Sequence, residues 1–313
     1  MNRLSDFMLP PARSTLAGEV DALFNFINVV SLILLIGITI AIIYFAIRYR
    51  RKSDDDTTPL ITHNSKLEIT WSVIPLILVM IVFGWGYSGY LTMTNAPDDA
   101  YEIRVIAKSW LWEFHYQDGQ TSINELHVPE NRPVKLIMSS DDVLHSFYVP
   151  DFRVKMDVIP NRYTSVWFEA TGPGESVIYC AEYCGSAHSQ MLADVIVHTQ
   201  DDFDLWLEAG DAIDEDLTPV ELGRQLVERQ GCLACHSTDG STLQGPTFLD
   251  IMGRERLLTD GTTVTIDENY LRQSILEPNT QVADGFPPIM PSYAGSLSDR
   301  QIDAIIEYLK TLD

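Results

Sequence analysis

Two long uncharged runs open the pattern, and the rhythm of apolar positions changes twice after them. Residues 23–47 contain no Asp, Glu, Lys or Arg, and neither do residues 69–93. Each exceeds the roughly 20 apolar residues that a membrane-spanning helix needs, which predicts a hairpin within 23–95 with helices at about 23–47 and 68–93, preceded by an external segment, 1–22. From Tyr101 the period shortens to two, as in Tyr-Glu-Ile-Arg-Val-Ile-Ala and Thr-Ser-Val-Trp-Phe-Glu-Ala. Turn signals such as Gln-Asp-Gly and Thr-Gly-Pro-Gly separate these runs, so 96–200 reads as an all-β sandwich or barrel. Helical periodicity returns at 202–209 and 218–230, and Ile302, Ile305, Ile306 and Leu309 form one apolar face near the end. The charged stretch Asp211 to Asp216 marks a linker, 201–217, before a second folded unit at 218–313.

Charge orients this plan. Arg48, Arg50, Arg51, Lys52 and Lys66 lie between the two runs, and an excess of Lys and Arg marks the cytoplasmic loop. Both termini, and every residue after about 95, are then expected outside. The first run is too long for a signal peptide and is followed by Arg-Tyr-Arg-Arg-Lys rather than a small-residue cleavage site. The formal net charge is −23; residues 201–313 hold 22 Asp and Glu against 7 Arg and Lys, a net of −15. That balance excludes nucleic acid as a partner. It suits a basic protein steered toward the acidic face, or a surface that is merely well solvated.

All four cysteines fall in two short motifs beyond the membrane runs. Cys180, Cys184, His188 and Met191 stand at offsets of 0, 4, 8 and 11, and soft thiolates and thioethers with imidazole select copper, zinc or iron clusters. Cys232-Leu-Ala-Cys235-His236 has the spacing of covalent c-type haem attachment. The alternative is a pair of short-range disulfides, which leaves His188, Met191 and His236 beside the thiols without a purpose. A two-copper centre bridged by both thiolates needs a second imidazole, and His145 in Asp142-Val-Leu-His145-Ser-Phe can supply it if strand order brings it to the loop.

With these residues in view, the pattern Cys-x-Glu-x-Cys-Gly-x-x-His-x-x-Met, preceded by Asp-Val-x-His-Ser-Phe, resembles the binuclear CuA site of cytochrome c oxidase subunit II. The likeness covers about residues 20–198 and implies a cupredoxin-like β domain on a two-helix transmembrane hairpin. It implies that His145 and Met191 bind one copper, that His188 and the Glu182 carbonyl bind the other, and that the Glu182 side chain serves a magnesium ion shared with subunit I. It also implies that Trp110, first of the aromatics Trp110, Trp112, Phe114 and Tyr116, receives electrons over the copper site. Glu68, in Leu67-Glu68-Ile-Thr-Trp71, matches the mouth of a proton path into subunit I. The sequence departs from the family at Ile159-Pro160-Asn161-Arg162, where Gly is usual in place of Asn161; Asn tolerates the left-handed backbone, so the turn is expected to survive.

The haem motif requires a second axial ligand, and a methionine there raises the potential. Met252 and Met290 both follow it. Met290 is favoured, because Phe286-Pro-Pro-Ile-Met290-Pro-Ser-Tyr is a proline-stiffened loop that resembles the distal loop of class I cytochromes c, as Gln244-Gly-Pro-Thr resembles their proximal loop. An all-α cytochrome c domain fused to subunit II is similar to the caa3 class of haem–copper oxidases. That resemblance implies a subunit in a bacterial plasma membrane that takes electrons from a cytochrome c, another small redox protein or an upstream complex. The electrons would reach haem c first and then CuA, and finally subunit I, which reduces oxygen and pumps protons. A nitric oxide reductase with a similar subunit, a membrane-tethered electron shuttle and a copper-delivery protein remain as alternatives at this stage.

Overall fold

The computed structural model describes residues 8–57, 60–209 and 217–312. Two helices, α1 (Ala17–Arg48) and α2 (Ser65–Thr94), contain the two uncharged runs. Both are long and apolar enough to cross a membrane, and none of their most apolar stretch is buried within the chain. They touch at Phe26 and Trp85, whose ring centroids lie 5.8 Å apart. Helix α1 begins six residues before the uncharged run because Ala17, Gly18 and Glu19 continue it into the next domain, where Ala17 is fully buried. The expected external segment therefore ends inside a helix. The first turn of α2 is capped by Asn64, whose side chain accepts from the Leu67 N–H. Glu68 Oε1 accepts in turn from the Asn64 N–H at 2.8 Å.

The β domain is a sandwich of two five-stranded sheets. The first has the order β3-β2-β1-β5-β8, with β1 (Tyr101–Lys108), β2 (Leu111–His115), β3 (Thr121–Ile123), β5 (Pro133–Ser140) and β8 (Thr164–Glu169). The second has the order β4-β10-β9-β6-β7, with β4 (Glu125–Pro129), β6 (His145–Val149), β7 (Val154–Val158), β9 (Gly174–Cys180) and β10 (Leu192–His198). The strict alternation of β1 and β5 buries Ile103, Val105, Leu136 and Met138 between the sheets beside Trp112, Phe114, Phe147 and Phe168. Asn161 takes the left-handed conformation its turn needs, φ +57°.

The hairpin is fastened to this sandwich rather than merely linked to it. Ser14 bridges to Ala170 beyond the end of β8, and the Trp167 indole N–H donates to the Thr92 carbonyl at 3.0 Å. Arg153 binds both carboxylate oxygens of Asp21, at 2.8 and 3.2 Å, and also donates to the Pro10 and Pro150 carbonyls. Both side chains are nearly buried, at 7% and 10% exposure.

The helical period expected at 202–209, within the stretch assigned as linker, forms α3 (Gln200–Ala209), whose Phe203 and Trp206 pack on the sandwich; residues 210–216 of the linker lie outside the described residues. Beyond it are α4 (Pro219–Arg229), α5 (Glu268–Leu276) and α6 (Asp299–Leu309), with a small ribbon of β11 (Glu255–Leu257) and β12 (Thr263–Thr265). The domain is helical with that ribbon added. Capping boxes at Thr218 and Ser298 start α4 and α6. The two helices cross at Gly223, where a Cβ would overlap the Ala304 carbonyl.

Removing one partner of a buried ion pair strands the other, at a cost of about 3–5 kcal/mol. Arg153→Ala is therefore expected to lower the unfolding free energy of the detergent-solubilised protein, measured by denaturant titration, by that amount. A loss indistinguishable from that of an exposed Arg162→Ala control would contradict the clamp.

Candidate metal and haem sites

Strand pairing assembles the first site. Phe147 on β6 pairs with Cys180 at the end of β9, which sets His145, two residues earlier, over the loop that β9 enters. The loop returns as β10, and the Cys180 N–H donates to the Met191 carbonyl at 3.3 Å across its neck. Inside, the Cys180 and Cys184 sulfurs are 3.7 Å apart. His145 Nδ1 lies 3.8 Å from the Cys180 sulfur, and His188 Nδ1 lies 3.5 Å from that of Cys184. The Met191 sulfur is 3.7 Å from the Cys184 sulfur, and the Glu182 carbonyl oxygen is 3.2 Å from that of Cys180. Donor atoms of His145, Cys180 and Cys184 all fall within 4.8 Å of one another. All four cysteines are free, and a separation of 3.7 Å for Cys180 and Cys184 is far beyond a disulfide bond of about 2.05 Å. The structure thus gathers the six positions named from the sequence in one cluster, and its two thiols, two imidazoles, thioether and carbonyl are a donor set that fits soft, closely spaced metal ions.

The electrostatics favour one thiolate before any metal arrives. Burial opposes ionisation of Cys180, but the hydrogen bond with His145, and further ones from the surrounding backbone and Cys184, override it and hold the thiol down to about 6. Cys184 moves the other way, pushed up first by burial and then by the charge on Cys180. His145 rises: burial works against its cationic form, and the hydrogen bonds to Cys180 and Asp142 outweigh it.

Asp142 was not singled out from the sequence, though it stands three residues before His145 in the quoted motif. Its carboxylate accepts from His145 Nε2 at 2.8 Å and from the Ser109 N–H at 2.8 Å. Despite partial burial, the hydrogen bonds from Ser109, His145 and Val143 hold it down to about 2. It thereby fixes the tautomer that turns Nδ1 toward Cys180, as a carboxylate behind a metal-binding imidazole does. Trp110, beside Ser109, donates its indole N–H to the Cys184 carbonyl at 3.1 Å and is 9% exposed.

The second site is a cavity in the helical domain lined by Cys232, Cys235, His236, Phe286 and Met290 among others. Met252 packs against the domain's apolar core and is not part of that lining. His236 Nδ1 donates to the Pro246 carbonyl at 2.6 Å, which leaves Nε2 as the ring's ligating atom, and Phe248 stacks on the ring at 4.4 Å. Gly245 completes the cradle, since a Cβ there would lie 2.6 Å from the imidazole. Burial pushes the His236 imidazole toward its neutral, ligating form, and pushes the Cys232 thiol up to about 12. An apolar slot with two thiols and an oriented imidazole fits a covalently held haem.

Glu68 belongs to neither site; it stands in the first turn of α2. His127 and His198 also lie outside both sites: they share a hydrogen bond of 2.8 Å, and His127 stacks on Trp206 to seat α3.

Fold and sites together define a membrane-anchored cupredoxin-like protein with a fused c-type cytochrome domain. Known families agree segment by segment. Residues 3–85 match the transmembrane domain of cytochrome c oxidase subunit II, 120–199 its periplasmic domain, and 220–313 cytochrome c. Cytochrome c oxidase subunit 2 of Alkalihalophilus pseudofirmus is 33% identical over 92% of this chain and 86% of its own length. That of Bacillus sp. PS3 is 31% identical over 84% and 79%. The crystal structure of the periplasmic domain of subunit II from Bradyrhizobium japonicum covers 38% of this chain and 98% of its own, at 28% identity and a TM-score of 0.36. The chain belongs to the cytochrome c oxidase subunit II family, in the caa3-like form that carries its own cytochrome c domain, and is a subunit of a haem–copper oxidase complex.

A carboxylate behind a ligating histidine is worth about 10- to 100-fold in metal affinity. Asp142→Asn is expected to weaken copper retention by that factor in chelator competition while leaving the haem spectrum unchanged; wild-type retention would show that His145 is held by other means.

Proposed function

We propose that this chain is the electron-accepting subunit of a bacterial terminal oxidase that reduces oxygen to water and pumps protons, with both redox domains on the outer face of the plasma membrane. The observation that carries the reading is the convergence of six donors from two distant segments in a chain that also holds the haem cavity. When bound, the copper pair and the haem supply one-electron redox chemistry.

The protein's own residues hold and orient these groups. Cys180 and Cys184 would hold the copper pair together, with His145 and Met191 serving one metal and His188 with the Glu182 carbonyl the other. Their closeness in space supports this set. Cys232 and Cys235 would attach the haem through thioether bonds, and His236 and Met290 would bind its iron. The shared cavity of His236 and Met290 supports Met290 over Met252. The Glu182 carboxylate faces a magnesium ion shared with subunit I, Trp110 is the residue through which electrons reach the copper loop, and Glu68 stands at the mouth of a proton path. The hydrogen bond from Trp110 to Cys184 favours the second of these roles. Functional units follow the domains, with the copper domain at 96–200, the haem domain at 218–313 and the linker between them; a small redox protein such as a cytochrome c is the external donor.

The purified protein is expected to give the EPR signal of a mixed-valence copper pair. A spectrum of mononuclear copper alone would sink the binuclear assignment. Met290→Ala is expected to convert the haem to a high-spin or differently ligated form, and an unchanged optical spectrum would transfer the axial role to Met252.

A further inference from the structure

The haem domain is seated on the copper domain by apolar contact. Ile123 of β3 packs into the core of the helical domain, and Ile289, beside Met290, packs against the core of the sandwich. Gly231, next to Cys232, lies so close to Ile123 that a Cβ would fall 2.7 Å from its Cγ2. Polar contacts accompany them: Ser186 Oγ donates to Gln244 Oε1 at 3.4 Å, and Arg229 of α4 lies close enough to Glu125 of β4 to add to the His127 hydrogen bond in holding its carboxyl below the usual range.

This seat turns the haem cavity toward the copper loop. Leu111, 5% exposed at the start of β2, is a residue of the copper domain that lines the cavity. Its peptide neighbour is Trp110, whose ring lies against Gly185 and whose N–H donates to the Cys184 carbonyl at 3.1 Å. Between the cavity wall and a bridging thiol there are thus one peptide link, one indole, one hydrogen bond and Cys184 itself. The competing route, from Gln244 to Ser186 in the copper loop, passes through an exposed contact of 3.4 Å, long for a hydroxyl hydrogen bond. Electronic coupling decays more steeply across such a gap than through bonded and tightly packed atoms.

We propose that Leu111 is the contact that couples the haem cavity to the copper loop, by way of Trp110 and its hydrogen bond to Cys184. The proposal rests on the reading that both redox groups are present as assigned above. The transfer is a one-electron exchange in which ferrous haem iron is oxidised to ferric and the copper pair is reduced by one electron; no bond forms or breaks. Leu111 acts as a positioning residue, filling the space between the cavity and Trp110.

The test measures haem-to-copper electron transfer in the intact oxidase after photoreduction of the haem. Truncating a buried leucine leaves a cavity that its surroundings fill only in part, so Leu111→Ala is expected to slow the transfer about tenfold or more. The volume-conserving Leu111→Met and Ser186→Ala are expected to stay within about twofold of the wild type. Copper EPR and haem spectra should be those of the wild type in all three. An unchanged rate in Leu111→Ala, or the loss appearing in Ser186→Ala instead, would overturn the proposal. Should Leu111→Ala fail to fold, Ile123→Asp tests the seat itself. In chelator-treated, copper-free protein it is expected to raise amide hydrogen exchange across 111–115, and in the loaded oxidase to slow the transfer. Unaltered exchange together with an unaltered rate overturns the proposal. A wild-type protein without dicopper or haem signals overturns the site assignments as well, whereas intact signals with a rate indifferent to Leu111 and Ile123 remove only the coupling contact.

Discussion

Everything at the copper loop depends on the antiparallel pairing of β6 with β9. His145 precedes Cys180 by 35 residues, and only the register that sets Phe147 opposite Cys180 brings the imidazole over the thiols. Side chains alternate along a strand, so a slip of one residue would turn His145 to the opposite face. The register is secured by burial, since Phe147 and Val149 fill the space between the sheets, and by the Ala181 N–H donating to the Ser146 carbonyl at 2.8 Å. Metal ligation on this chain is thus a consequence of hydrophobic alternation.

The same alternation packs the ligand residues into the core. Cys180, Cys184, Met191 and His145 are buried among apolar residues, and Trp112 stands edge-on to both His145 and Phe147, at 6.2 and 5.6 Å. Asp142 adds direction to that packing. Its carboxylate joins the strand bearing His145 to the turn bearing Trp110, so a ligand and the residue covering the loop share one anchor.

Much of this was legible in the sequence because the signals were of separate kinds. Uncharged length revealed the hairpin, period two the sandwich, and fixed spacing the cysteine motifs. Short-range motifs survive without tertiary context: the Cys232 to His236 run can be read as it stands. What escaped reading depended on contacts between distant segments. The start of α1 was missed because the turn from Ala17 is neither apolar nor membranous, and it is held by packing and by Asp21 meeting Arg153. Helix α3 was legible as helical period at 202–209, but its packing was not, because the seat of Phe203 and Trp206 is made by distant strands. Asp142 and Leu111 carried no signal beyond their neighbours' motifs, because an aspartate before a histidine and a leucine between tryptophans acquire their roles only in three dimensions.

The apolar character of the seat between the two redox domains follows from their charge. Residues 201–313 carry a net of −15, and residues 1–200 hold 22 Asp and Glu against 14 Lys and Arg, so both parts are acidic. Two bodies of like sign gain nothing from long-range steering toward each other. Covalent linkage replaces it, because a tether makes the encounter intramolecular at an effective concentration in the millimolar range for short linkers. With the encounter supplied by the chain, a small contact of Leu111, Ile123 and Ile289 suffices to orient the haem cavity.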